Sequence, residues 1–206
     1  MRTKESNDRR PTFTQRKRRE QLVDCAIDAI VDLGFERASV GEVARRAGVS
    51  KGVVTYHFAA KDDLIYEVVA RIFDSVKAFL ESRLGATAPE RFVADYITAW
   101  VDYYRVNTRY MLAIGEIWSN FRSEQGELRF GGQAVAGELA IVQQVLELGQ
   151  ADGTLGQFSA RVMAVSIKAA LDALLAQLAD DPELDLKEYG AELVSLFDGA
   201  TRRRKT

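Results

Sequence analysis

The densest group of hydrogen-bonding and cationic side chains with a definite spacing lies in residues 39–61, SVGEVARRAGVSKGVVTYHFAAK. Ser50, Lys51, Gly52 and Thr55 stand close together, with Arg45 ahead of them and Lys61 behind. Hydroxyls and ammonium groups donate to phosphate oxygens and base edges, and a glycine lets the backbone come close to a duplex. The chain offers little for breaking bonds. His57 is the only histidine and Cys25 the only cysteine, so neither a His/Cys metal cluster nor an intrachain disulfide is available. There is no Gly-rich phosphate loop and no nucleophile elbow. Carboxylates scattered along helices are solvated faces by default. No catalytic residue, metal site or cofactor is expected, and an enzyme is the disfavoured class.

The elements that must carry these groups follow from the apolar spacing. Val40, Val43, Ala44 and Ala47 recur at helical intervals, as do Val49, Val53, Val54 and Phe58. Between the two sets lies the turn Ala47-Gly48-Val49-Ser50. Gly48 sits where a left-handed residue is needed, and Ala44 is small enough for two helices to cross closely. Ser39 is a good N-cap for the first short helix, with Glu42 at the capping-box position, and Ser50 is expected to cap the second. This describes a DNA-reading helix-turn-helix, with an ordinary helical hairpin in a bundle as the alternative. In the DNA-reading case the second helix enters the major groove by its N-terminal residues, so Ser50, Lys51, Gly52 and Thr55 become candidates for base and phosphate contact. Val53 could meet a thymine methyl. Lys61, at the start of the next helix, would hold a phosphate. Arg45, with Arg46 beside it on the outer face, is a candidate for a backbone contact, and Ser39 joins the DNA-binding candidates.

The 206 residues are 47% hydrophobic, enough for a real core in one large domain or two small ones. Charge is uneven: residues 1–62 hold 13 Lys/Arg against 9 Asp/Glu, and residues 63–206 hold 15 against 21. A basic leading part on an acidic remainder fits a nucleic-acid-binding head on a body with another task. Residues 1–13 read as a flexible basic arm. Arg9, Arg10, Arg16, Lys17, Arg18 and Arg19 form a basic run suited to phosphate contact, the helix-borne members above all. A first helix is expected over 14–33, ended by Gly34, with Phe35 folded back onto the core. Short helices follow over 40–47 and 51–57, then a long one over 61–84 with Leu64, Val68, Ile72, Val76 and Leu80 in one stripe. Pro89 opens a fifth helix to about 105. A bend at 106–108 precedes a sixth, to about 121. Residues 123–132 are a loop or partly helical hinge. Helices over 133–151, 159–179 and 185–200 complete an all-α chain of about nine helices. The expected division is arm 1–13, helix-turn-helix domain 14–60, body 61–201 and basic tail 202–206. No run of about 18 apolar residues marks a transmembrane helix, and no apolar segment follows the basic N-terminus as in a secretory signal. The cytoplasm is the default location, with no membrane partner.

From Arg19 to Leu64 the order and spacing of Leu22, Cys25-Ala26, Ile30, Gly34-Phe35, Ser39, Val43-Ala44, Ala47-Gly48-Val49-Ser50, Gly52, Tyr56, Phe58, Lys61 and Leu64 resemble the TetR family of bacterial transcriptional regulators. Later residues resemble it in layout, including the turn Asp152-Gly153-Thr154-Leu155-Gly156 and two apolar C-terminal helices. Thr55 departs from the family, which usually has tyrosine there, with a second aromatic next, here Tyr56. The resemblance implies that Tyr56 and His57 hydrogen-bond to phosphate. It also implies a homodimer built by the last two helices (about 159–200) as a four-helix bundle on a palindromic double-stranded operator. Independently, 165–178 and the set Leu193, Val194, Leu196 and Phe197 carry more aliphatic groups than one packed face needs, though a central helix buried in a monomer would look alike. The resemblance further implies a body pocket for a small, mostly apolar effector. Trp100, Tyr104, Met111, Glu116, Trp118 and Asp172 are the candidate walls. The implied function is a dimeric repressor released from DNA when the effector moves the fourth helix. An activator, or a DNA-binding structural or division factor without small-molecule control, would use the same head.

Overall fold

The computed structural model of the chain describes residues 12–85, 87–130 and 136–203. The expected arm, with Arg9 and Arg10, and the end of the basic tail from Arg204 on lie outside these residues. Among the described residues the fold has nine helices and no strand. The chain separates into two compact units, one up to Val68 and one from Val69 onward.

The first unit holds α1 (Phe13–Leu33), α2 (Val40–Arg46), α3 (Lys51–His57) and the opening turns of α4 (Lys61–Leu84). A capping box starts α1: the Thr12 hydroxyl accepts from the Gln15 amide, and the Gln15 side chain accepts from the Thr12 amide. The Thr-x-x-Gln signature is present in the sequence. At the other end Gly34 adopts φ 82° and its N–H reaches the Ile30 carbonyl at 2.9 Å, while Phe35 folds into the core. Leu22, Ala26, Ile30, Val43, Val54, Phe58, Leu64 and Val68 are all buried and form the apolar core of this unit. Gly48 takes φ 65°, and the Val49 amide closes the turn on the Ala44 carbonyl at 3.0 Å.

The Ser39 cap forms without a reciprocal bond from Glu42, and the Ser50 cap does not form. Ser39 does accept from the Glu42 amide at 3.2 Å, but the Glu42 carboxylate turns to Arg45 and Arg46. A guanidinium is a stronger partner for a carboxylate than a neutral amide. Ser50 stands at the N-cap of α3 and is exposed, but its side chain makes no capping bond.

The second unit contains the rest of α4 and α5 (Pro89–Val106), α6 (Thr108–Asn120), α7 (Ala136–Ala151), α8 (Ala160–Asp180) and α9 (Leu186–Thr201). Helix α5 is its axis, packing on α6, α7, α8 and α9, and α8 also packs on α6 and α7. Pro89 fits the first turn of α5, where no N–H is needed. Asn107, at φ −121°, breaks α5 from α6. Residues 121–130 form a tight loop, not a helical hinge: the Ser123 amide donates to Glu127, the Arg129 amide to Phe121, and Gly126 has φ 83°. The turn after α7 is held by Asp152, whose carboxylate accepts from the Thr154 amide and hydroxyl. Helix α9 lies on α5 at Gly190, where an added Cβ would stand 3.0 Å from a Val101 methyl.

Helix α8 is long enough to cross a membrane and has a mean hydropathy of 1.6 over 18 residues. Its apolar run is nonetheless interrupted by Ser166, Lys168, Asp172 and Gln177. Only 28% of that window is buried within the chain.

Candidate nucleic-acid interface

Helix α3 is two turns long and buries one residue, Val54. So short a helix does not hold itself in water, and its placement comes from its neighbours. What it leaves outside is the row Lys51, Gly52, Thr55 and Tyr56, continued by Ser50 before it. Val53 is half-buried. These are the expected reading residues, and the fold brings them onto one exposed surface.

Their local bonds differ. The Thr55 hydroxyl donates back to the carbonyls of Lys51 and Gly52 at 3.3 and 3.2 Å. Its donor is thus used inside the helix, leaving the methyl group and oxygen lone pairs for a partner. The Tyr56 hydroxyl accepts from Gln15 Nε2 at 3.1 Å, and its ring stands edge-on to His57 at 5.2 Å. Gln15 therefore caps α1 with one end and orients Tyr56 with the other, a role the sequence signals only through the capping box. His57 is half-buried. Burial, with the charges of Arg19 and Arg18, holds its imidazole below the usual histidine range.

Four of the expected cations are engaged inside the unit. Lys61 donates to the Phe35 carbonyl at 2.8 Å, with its ammonium 4.4 Å from the Phe35 ring centre. Burial lowers its pKa. The ammonium is thereby turned towards the link between α1 and α2, and the backbone amides at the start of α4 are left as the donors there. Arg19 bonds the His57 carbonyl and Glu67. Arg45 forks onto Glu42 at 2.7 and 2.8 Å but stays largely exposed, whereas Arg46 bridges Glu42 and Asp32 and is mostly buried. Hydrogen bonds from both arginines pull the Glu42 carboxyl down from 4.5 to about 2. Ser39 is exposed at the start of α2, spent on its cap. Arg16 and Lys17 are exposed around the exposed ring of Phe13, at 5.6 and 4.8 Å from its centre.

In the second unit the six expected pocket walls line neither of two clefts of about 540 and 750 Å³ and fall in separate groups. Trp100 and Tyr104 are buried side by side, ring centres 5.6 Å apart, and the Tyr104 hydroxyl donates to the Leu171 carbonyl. Burial raises its pKa strongly, and the nearby Asp172 adds to this. Asp172 itself is exposed and paired with Lys168 one turn before it. Trp118 belongs to another group, edge-on to Phe73 at 5.6 Å and stacked on Phe130 at 5.1 Å. Met111 is buried, and Glu116 is half-buried with Asn120 at 3.4 Å. The two clefts lie elsewhere, the first at Arg83, Ala88 and Arg91 and the second at Gly153, Gly156 and Arg202. Sequence reading missed Glu138, which accepts from the Tyr96 hydroxyl and from Trp100 Nε1 and so ties α7 to α5. Glu138 sits next to an apolar helical run, and nothing local marks its partners.

Residues 22–68 match the family model described as bacterial regulatory proteins, tetR family. The chain is 36% identical over 69 residues to the HTH-type transcriptional regulator BetI of Klebsiella pneumoniae (strain 342), covering 34% of this chain and 35% of that protein. It is 30% identical over 107 residues to BetI of Cronobacter sakazakii, covering 50% and 52%. The chain thus spans about a third to a half of the length of the curated relatives it matches. In fold it is similar to a putative TetR-family transcriptional regulator from Rhodococcus sp., with a TM-score of 0.77 at 20% identity over 89% of this chain and 98% of that one. Residues 22–68 carry the sequence match and nearly the whole length carries the fold, so the helix-turn-helix region belongs to the TetR family of bacterial regulatory proteins and the whole chain is similar to that family in fold.

Proposed function

We propose that this protein is a transcriptional regulator, not an enzyme, and that it acts as a homodimer on a palindromic double-stranded operator. The carrying observation is the exposed row Ser50, Lys51, Gly52, Thr55 and Tyr56 on a helix whose inner side is anchored. Lys51 supplies a phosphate contact, Gly52 admits the duplex closely, and Ser50 offers an uncommitted hydroxyl. Thr55 meets a thymine methyl through its own methyl group. Tyr56, and the α4 N-terminus beside Lys61, contact phosphates.

One head buries too little surface for tight specific binding. The dimer reading is supported by the outer faces of α8 and α9, where Val162, Val165 and Leu196 are 62%, 48% and 63% exposed. Exposed aliphatic groups on these two helices, which both pack on α5, suit a second copy of the same chain. The operator is released when a small, mostly apolar effector in the body shifts the populations of α4 positions. A second reading, a regulator without small-molecule control, is favoured by the filled aromatic cluster, since Trp100, Tyr104 and Met111 are enclosed by protein. The testing experiment is selection of duplexes from a random-sequence pool by the full-length protein, with a gel shift on the DNA upstream of its own coding region. Enrichment of an inverted repeat is expected. Absence of any enriched sequence at moderate salt overturns the reading.

A further inference from the structure

Three contacts converge on Arg19, the residue whose charge alone would nominate it for a DNA phosphate. One Nη donates to the His57 carbonyl at 2.7 Å, the last residue of α3. The other donates to Glu67 Oε2 at 2.8 Å, two turns into α4. The guanidinium carbon lies 4.2 Å from the centre of the Phe58 ring. The end of a helix exposes carbonyls without intrahelical partners, and a planar cation with parallel donors suits one of them beside a carboxylate. With one face on an aromatic ring and both Nη groups occupied, Arg19 faces the protein.

We propose that Arg19 is the positioning residue of the reading helix. It fixes the C-terminal end of α3 to α1 and α4 and sets DNA affinity without touching DNA. The proposal rests on the DNA-binding reading above. Gly48 governs the entry to α3 and Arg19 its exit, so a helix of two turns is held at both ends. Glu67 keeps the guanidinium in the orientation that meets the His57 carbonyl. Both side chains are part-exposed, so the ion pair by itself contributes little to stability, and its effect lies in geometry.

The consequence for Glu67 runs against simple electrostatics. Removing a negative charge from a DNA-binding head should tighten DNA binding or leave it unchanged. If Glu67 aims Arg19, Glu67→Gln weakens binding instead. The test uses the full-length protein and the duplex most enriched by the wild type, with anisotropy titrations from 50 to 200 mM salt. If no duplex is enriched, the DNA-binding reading fails irrespective of Arg19. Expected results are a loss of about threefold or more for Glu67→Gln and about tenfold for Arg19→Met, the scale of a charge-assisted hydrogen bond. The double variant should be no weaker than Arg19→Met. The slope of log affinity against log salt should not change, and Arg19→Lys, which keeps the charge and loses the fork, should not restore binding. Thermal melts establish that each variant folds; if Arg19→Met does not, Glu67→Gln and Arg19→Lys still decide. Wild-type or tighter binding by Glu67→Gln would overturn the proposal. So would a slope in Arg19→Met that is shallower by about 0.9 per head, the loss of one phosphate contact, or full rescue by Arg19→Lys.

Discussion

Helices α3 and α8 both leave much of their surface outside the chain, and they do so with opposite chemistry. Helix α3 exposes hydroxyls, an ammonium, a glycine and a phenol around one buried valine. Helix α8 exposes Val162 and Val165 with alanines around them, while six of its residues are buried. Exposure alone therefore says little about what a helix meets. The exposed groups say more: donors and cations suit a polyanion, and aliphatic groups suit another apolar face. The stiffness behind each surface differs as well. The first unit is tied by charged side chains reaching carbonyls and carboxylates: Arg19, Lys61 and Arg46. The second is filled with aromatic rings, with Phe92, Tyr96, Trp100, Tyr103 and Tyr104 in edge-on or stacked contact.

The largest expected effect breaks the apolar side of this contrast. Val165→Asp together with Leu196→Asp places charges on the aliphatic groups proposed to meet a second copy, and burying unpaired charges is costly. Sedimentation velocity should show a monomer, and operator affinity should fall about 100-fold or more as the second head is lost. A variant that stays dimeric would move the pairing face elsewhere. On the polar side, Lys51→Ala should leave the oligomeric state unchanged, weaken DNA binding about tenfold and reduce the salt slope by about 0.9 per head. An unchanged slope would remove Lys51 from the phosphate contacts. Gly48→Ala tests the turn on which the reading surface depends. Nothing lies within 4 Å of the added Cβ, so the cost is that of a left-handed backbone, about 1–2 kcal/mol in urea unfolding.

The smallest effect concerns pH. In the folded unit the Glu42 carboxyl is lowered from 4.5 to about 2 by Arg45 and Arg46, and Asp32 shares Arg46. A carboxylate with a depressed folded pKa stabilises fully above its unfolded value and loses that contribution as pH falls through the folded one. Wild type should thus exceed Glu42→Gln in stability at pH 7, with the gap closing between about 4.5 and 2. A gap independent of pH would mean that the carboxylate's charge is not the source.

Most helix bounds were legible because local chemistry writes them. Pro89, Gly34, Gly48 and Ser39 mark positions where the backbone needs a fixed φ, a left-handed residue or a cap, and periodicity places α3 and α4 between such marks. The exposure of the row Ser50, Lys51, Gly52, Thr55 and Tyr56 was legible for the same reason, since α3 is short and its exposed side follows from its few apolar residues. The ties behind that surface were not. Arg19 and Lys61 look like surface cations, and only the fold brings Glu67, the His57 carbonyl and the Phe35 carbonyl to them across 26 to 48 residues. The aromatic region shows the same limit. Spacing marks Trp100 and Trp118 as inward-tending, but not that they join different clusters, nor that Asp172 pairs with Lys168 on an exposed face.

The seat of α9 on α5 at Gly190 carries a mechanical implication. An added Cβ there would stand 3.0 Å from a Val101 methyl, so it is the missing side chain that lets the two helices lie this close. Gly190→Ala would make Val101 or the helix itself give by a few tenths of an ångström, and the exposed Leu196 is carried on that same helix.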